Sequence, residues 1–167
     1  MYIPKNTIIK ALGCLAVLTA AACTNAVDDY YTGGETATGD GTVLEYLETI
    51  HDCSEFVILI GATGLTELLS GKDLATVWAP ANSQLPAEVA AMSAAERLRL
   101  VRSHISIATI FSRNLARLST VGTMAGKYLT VDHSSEAYTI DGVQLTEMDR
   151  VFQHGVVPRT SEWLLPR

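Results

Sequence analysis

The chain has 167 residues, a formal net charge of −6 and a 48% apolar composition. That is enough for one domain with a real hydrophobic core. The acidic balance argues against nucleic acid as a partner, because phosphate contacts need clustered Lys and Arg. Acidity at this level mainly keeps a domain soluble.

The first predicted element is a leader, Met1 to Ala22. Lys5 and Lys10 are its basic part, and Ala11 to Ala22 is its apolar part, ending Ala20-Ala21-Ala22-Cys23. A basic start, an apolar run and small residues before a cut describe a secretory signal peptide. The run of about a dozen residues falls short of the roughly 20 that a spanning helix needs. A cysteine directly after the cut resembles the bacterial lipoproteins, whose mature N-terminal Cys carries lipid. The resemblance implies lipidation at Cys23 and membrane attachment through that lipid. It also implies a place at the bacterial cell envelope, as an outer-membrane lipoprotein that is surface-exposed or faces the periplasm. Ala20 departs from the Leu that lipoproteins more often carry there.

Loss of Cys14 with the leader and lipidation of Cys23 leave only Cys53 of the three cysteines. The mature fold then has no intramolecular disulfide framework, and Cys53 reads as a small buried hydrophobe. Residues 24 to about 40 are rich in Gly, Thr and Asp and lack apolar periodicity. They read as a flexible tether with an r.m.s. reach of about 20–25 Å. The expected organisation is a signal peptide over 1–22, a lipidated N-terminus and tether over 23–40, and one folded domain over 41–167.

From Thr42 the apolar period becomes helical. Val43, Leu44, Leu47 and Ile50 form one stripe. Phe56, Leu59 and Ile60 continue on a second short helix that Gly61 and Gly64 break. Leu65, Leu68 and Leu69 add another turn or two before Gly71. Ala75 to Ala79 is then a short β-prone run closed by Pro80. Asn82 to Met92 is expected to be helical, with Leu85 and Val89 facing inward. Ser93-Ala94-Ala95-Glu96 is a capping box, in which the Ser oxygen and the Glu carboxylate each take a free helix amide. The following helix puts Leu98, Val101, His104 and Ile105 on one side. Ile107 to Leu118 is expected to hold another short helix or turn.

The last third is β-rich. Val121–Met124 and Lys127–Val131 straddle Ala125-Gly126. Ala137–Ile140 and Val143–Glu147 straddle Asp141-Gly142, a strong two-residue hairpin signal. Val151 to Val157 and Trp163 to Leu165 complete the set of expected strands. Helices first and strands later, with one strand inserted early, indicate an α+β fold.

Several segments together resemble the fasciclin (FAS1) domain family. Thr76-Val77-Trp78-Ala79-Pro80-Ala81-Asn82 is similar to that family's first box, usually T-hydrophobic-F-A-P-T-N. Val101 to Ile105 resembles the family's helix end with its central His, here His104. Leu115 to Val131 resembles the stretch ending in a T-x-x-G-x-x-L-hydrophobic pattern. Gly155-Val156-Val157 with Trp163-Leu164-Leu165-Pro166 resembles the second box and the closing strand. The likeness spans about Gly41 to Pro166 and implies a single FAS1 domain, with N-terminal helices packed on a β-sheet wedge. The second box departs from the pattern, with His154 before Gly155 and Pro158 where the family usually has His. Pro158 lacks an amide donor, so the strand is expected to pair poorly beyond it or to lie at an edge.

The motif residues Thr76, Trp78, Pro80, Asn82, His104 and Gly155 read mainly as structural. Thr76 and Asn82 are expected to bond local backbone and fix the turn after Pro80. Trp78 reads as a core anchor with its N–H paired, and His104 as a satisfied core histidine. In some animal members of the family, the segment leading into the second box is associated with integrin binding. The matching stretch here is Glu147-Met148-Asp149-Arg150-Val151, which makes Glu147 and Asp149 the candidate partner-binding residues. The plainer reading of that stretch is a strand end with solvated charges.

Other constellations carry little. His51-Asp52-Cys53 offers metal-ligand types, but they are adjacent and no second cluster follows. Asp132-His133-Ser134-Ser135 reads as a turn between strands, and nothing resembles a nucleophile elbow. Arg97, Arg99 and Arg102 read as a solvated helix face. No catalytic residue, metal or cofactor is expected. The functional expectation is a surface-anchored adhesion module at the cell envelope that binds protein or glycan. An accessory subunit of an outer-membrane nutrient-uptake complex is the alternative.

Overall fold

The computed structural model describes residues 39–71, 73–134 and 137–166. The leader, Cys23 and nearly all of the tether lie outside those residues. The chain enters its first helix through Thr42, whose hydroxyl accepts from the Glu45 amide while the Glu45 carboxylate accepts from the Thr42 amide. That reciprocal cap starts α1 (Val43–Thr49). A short 3-10 turn, His51–Cys53, leads into α2 (Ser54–Ala62), and α3 (Thr66–Ser70) follows. Gly61 lies inside α2; it is Gly64, at φ +72°, that turns the chain out of it.

The expected strand at Ala75 divides in two, β1 (Ala75–Val77) and β2 (Ala79–Pro80), with Trp78 between them. The expected helix over Asn82–Met92 is instead two 3-10 turns, Asn82–Gln84 and Ala87–Ala91. Pro86 lies between them; its ring fixes φ and it has no amide to continue a helical ladder. The Ser93 capping box forms as read and opens α4 (Ala94–Ser103). Leu100, outside the expected stripe, is fully buried with Val101. His104 caps the C-terminus of α4, and Ile105 has already passed into β3 (Ile105–Ser106). A single turn, α5 (Ser112–Leu115), precedes the strand-rich region.

The hairpins follow the sequence closely. They are β4 (Thr120–Gly122) with β5 (Tyr128–Ser134), and β6 (Ala137–Ile140) with β7 (Val143–Glu147). Asp141 and Gly142 take φ +56° and +84°, as a two-residue hairpin turn requires. The expected strand Val151–Val157 is instead a tight pair, β8 (Val151–Phe152) and β9 (Gly155–Val156). The last strand is β10 (Arg159–Thr160), and Trp163–Leu165 is not a strand.

These strands make a four-stranded sheet, ordered β3-β1-β9-β8, and a six-stranded sheet, ordered β2-β10-β7-β6-β5-β4. Two neighbouring segments cross from one sheet to the other. The first crosses at Trp78, between β1 and β2, and the second at Val157-Pro158, between β9 and β10. β1 pairs with β9 in parallel, and so does β2 with β10. Pro158 therefore does not end the pairing or mark an edge. Its missing amide falls at the crossing, while its carbonyl accepts from the Ala79 amide at 2.9 Å. β10 beyond it lies between β2 and β7.

The core follows this division. Leu47, Phe56, Ile60, Val77, Leu100, Ile105 and Trp163 pack between the helices and the smaller sheet. Trp78, Leu115, Leu129, Ile140 and Leu164 pack beneath one face of the larger sheet. The result is an α+β domain, as expected. Among the described residues no helix is long and apolar enough to cross a membrane.

Candidate functional site

The motif residues converge on β1 and its neighbours. Thr76 is fully buried, and its hydroxyl donates to the Ala108 carbonyl at 2.6 Å and accepts from the Ile110 amide at 2.9 Å. It thus secures a segment more than 30 residues away, not the local turn expected of it. Trp78 has no exposed surface, and its indole N–H donates to Ser106 Oγ at 3.0 Å. Pro80 sits within β2, opposite Thr160.

Asn82 also acts at long range. Its side-chain oxygen accepts from the Glu55 amide at 3.0 Å, and its amide donates to the His51 carbonyl at 3.0 Å and Ser54 Oγ at 2.9 Å. Asn82 therefore clamps the start of α2, satisfying groups that a helix N-terminus leaves open.

His104 is fully buried as well. Its Nδ1–H donates to the Leu100 carbonyl at 3.0 Å, and Nε2 accepts from the Leu164 amide at 2.9 Å. Those partners fix the neutral Nδ1–H tautomer. Complete burial pushes its pKa down to about 4, and the Leu100 bond opposes that shift only in part. The ring packs between Phe56 and Trp163, with centroids 5.1 and 5.3 Å away. Ser103 Oγ adds a 2.6 Å bond to the Leu164 carbonyl, and Trp163 Nε1 donates to the Ala81 carbonyl at 3.0 Å. Ser103 and Ser106 escaped the sequence reading. Their signal is position: Ser103 stands three residues after buried Leu100 on α4, and Ser106 directly follows buried Ile105.

Gly155 stands opposite Ala75 across the β1–β9 pair. A Cβ there would run into the Ala75 carbonyl oxygen and lie 2.6 Å from Val43 Cγ2. The close approach of α1 and β1 thus requires glycine at this position.

The candidate partner-binding pair is held by its own neighbours. Glu147 Oε1 lies 2.5 Å from Arg150 Nε. The Asp149 carboxylate accepts from both the amide and the hydroxyl of Ser112, at the start of α5, and Asp149 itself adopts φ +55°. Both residues are half-buried. Asp149 thus anchors a loop to α5 rather than ending a strand in solvent. Tyr46, stacked on Phe152 at 4.4 Å, lies beside this segment. Burial, and next the Glu147 charge, raise its phenol pKa.

The other constellations fall apart in space. Asp52 is exposed and pairs with Arg159 at 2.9 Å, and Cys53 is wholly buried, its thiol pKa raised by desolvation. Among the described residues no group of three or more His, Cys, Asp or Glu is placed to hold a metal ion. Asp132 and His133 lie within β5, not in a turn, and His133 faces Tyr138 on β6. Arg97 is not simply solvated, since it donates to the carbonyls of Val89 and Ala90.

The comparisons with known proteins agree with this arrangement. The family model described as the Fasciclin domain matches residues 51–166. The chain belongs to the fasciclin family. A solved structure of a FAS1 domain pair from the insect cell adhesion molecule Fasciclin I superposes with a TM-score of 0.63 at 16% identity. That match covers 75% of this chain and 51% of the other, so the chain spans about half the length of the protein it resembles. Domains of this family are generally adhesion or binding modules and are typically non-enzymatic.

Proposed function

We propose that this protein is an adhesion or binding module held at a bacterial cell envelope by lipid on Cys23. The observation that supports it most is the use of the family's motif residues within the fold. Thr76, Trp78, Asn82 and His104 each spend their polar groups on internal partners. Such a molecule serves by presenting a rigid surface, and lipid on Cys23, the first residue after the leader, followed by a polar tether would present it away from a membrane.

The test has two arms. Mass spectrometry of the mature N-terminus is expected to find acylated Cys23, and an unmodified N-terminus at another residue would remove the anchor from the reading. Cells that lack the protein, and beads that carry it, are expected to differ from controls in adhesion or in the surface partner captured. Unchanged adhesion with no captured partner would overturn the binding role. Gentle detergent extraction extends the second arm: co-purification with an outer-membrane assembly would assign the module to that complex.

A further inference from the structure

We propose that the outward face of the β4–β7 sheet is a glycan-binding platform for an uncharged polysaccharide. The proposal rests on the binding-module reading and gives it a place and a ligand class. One face of this sheet is core: Val121, Leu129, Val131, Ile140 and Leu145 are all buried. The opposite face carries Thr120, Tyr128, Thr130, Asp132 and Gln144, all exposed, and Thr139, half-buried.

The strand register fixes how these side chains are arranged. Tyr128 faces Gly122 and Thr130 faces Thr120 across β4–β5, while Asp132, Thr139 and Gln144 form one row across β5, β6 and β7. Neighbours in such a row are about 4.8 Å apart, and successive outward residues along β5 are about 7 Å apart. Tyr128 is 74% exposed. Its ring passes close to Gly122, where a Cβ would lie 3.5 Å from Tyr128 Cε1. The ring therefore lies along the sheet over Gly122 at ordinary van der Waals distance, with no side chain from β4 covering it. A large aromatic that covers no core and stays open to solvent is a stacking surface with little conformational entropy left to lose.

Charge selects the ligand class. The nearest ions are closed on one another: Lys127 with Asp141 at one end of the hairpins, while Glu147, on the Leu145 side of β7, pairs with Arg150 away from this face. Among the described residues Asp132 is the one charged side chain of the six-residue face, and it has no ion-pair partner there. A net charge of −6 disfavours a polyanion, and a face of hydroxyls, one amide and a single carboxylate offers too few charges to match a densely charged polycation. Its acceptors and donors suit the vicinal hydroxyls of neutral sugars, which a carboxylate and an amide can bond in pairs, while Tyr128 takes the apolar face of a ring.

Affinity electrophoresis of the mature protein through gels containing neutral polysaccharides (a β-glucan, a mannan, a galactan and starch) tests this. Polygalacturonate and chitosan gels are the charged controls. At least one neutral polymer should retard the protein, with Tyr128→Ala weakening binding tenfold or more and Asp132→Asn weakening it severalfold. Both substitutions lie on the open face, and circular dichroism should confirm that the fold is unchanged. Retardation by charged polymers only, retardation that survives Tyr128→Ala, or no retardation at all would overturn the proposal. Bead adhesion measured on the same variants separates the two readings. Adhesion intact in Tyr128→Ala without glycan retardation sinks the platform and leaves the binding module. Self-association that Tyr128→Ala abolishes, seen by sedimentation, would also sink the platform by assigning this face to a second copy.

Discussion

His104 shows how one buried side chain couples the fold to pH. Its folded pKa of about 4 lies below the ordinary value of 6.5. Between those values the unfolded chain binds a proton that the folded chain refuses. The stability it contributes is therefore complete above pH 6.5 and is lost as pH falls toward 4. A gap of roughly two and a half units corresponds to about 3 kcal/mol. Urea midpoints taken from pH 7 to pH 4 should fall in the native protein. In His104→Gln the decline should be shallower by about that amount, from a lower starting stability. Equal slopes would show that His104 is not the titrating group. Thr76 makes a second prediction. Thr76→Val keeps the shape but strands the Ile110 amide and the Ala108 carbonyl, at a cost of about 1–3 kcal/mol. Thr76→Ser keeps both bonds and should recover most of that loss.

At the scale of elements, local caps and long-range clamps separate cleanly. Ser93→Ala removes the box that opens α4 and should cost about 1 kcal/mol by thermal unfolding. Asn82→Ala removes three bonds between distant segments and should cost more, about 1–3 kcal/mol. A smaller loss for Asn82→Ala than for Ser93→Ala would contradict the clamp. This contrast explains what the sequence made legible. The Ser93 capping box and the helical stripes are written in residues three or four apart and the Asp141-Gly142 turn in two adjacent ones, all legible locally, as is the Thr42–Glu45 box, which was not among the sequence expectations. Pro86, which splits the expected Asn82–Met92 helix, is a local signal in the sequence that the apolar pattern around it masks. The partners of Thr76 and Asn82, about 30 residues distant, follow from tertiary packing that no local period records. Trp163–Leu165 reads as a strand because it is a short apolar run; in the fold Trp163 and Leu164 are buried and Leu165 is exposed. The segment is an irregular strap, pinned by His104 and Ser103. For the candidate site, Glu147 and Asp149 were found by motif position, whereas their Arg150 and Ser112 partners needed the fold. The outward sheet face was present as alternation in β5 and β7, but alternation alone cannot tell a binding face from a solvated one.

The whole molecule is built so that its two sheets are not independent. β1 continues into β2 through Trp78, and β9 into β10 through Val157-Pro158, so the same two segments belong to both sheets. The two tryptophans report on different cores. Trp78 lies beneath the larger sheet, and Trp163 lies against the helices and the smaller one. Yet each is bonded across the division: Trp78 Nε1 reaches Ser106 on β3, and Trp163 Nε1 reaches the carbonyl of Ala81, directly after β2. If one sheet opened, β1 or β2 would lose its parallel partner and leave buried amides and carbonyls unpaired, which disfavours a half-folded state. Unfolding should therefore be a single cooperative transition. The variants Trp78→Phe and Trp163→Phe leave one indole each and allow the two cores to be followed separately by fluorescence in urea. Within either variant, the indole signal and far-ultraviolet circular dichroism are expected to share one midpoint. The midpoints of the two variants will differ only by the stability each substitution removes. An indole transition that precedes the loss of secondary structure in one variant would show a core that melts separately, and the shared crossing segments would then be hinges rather than ties.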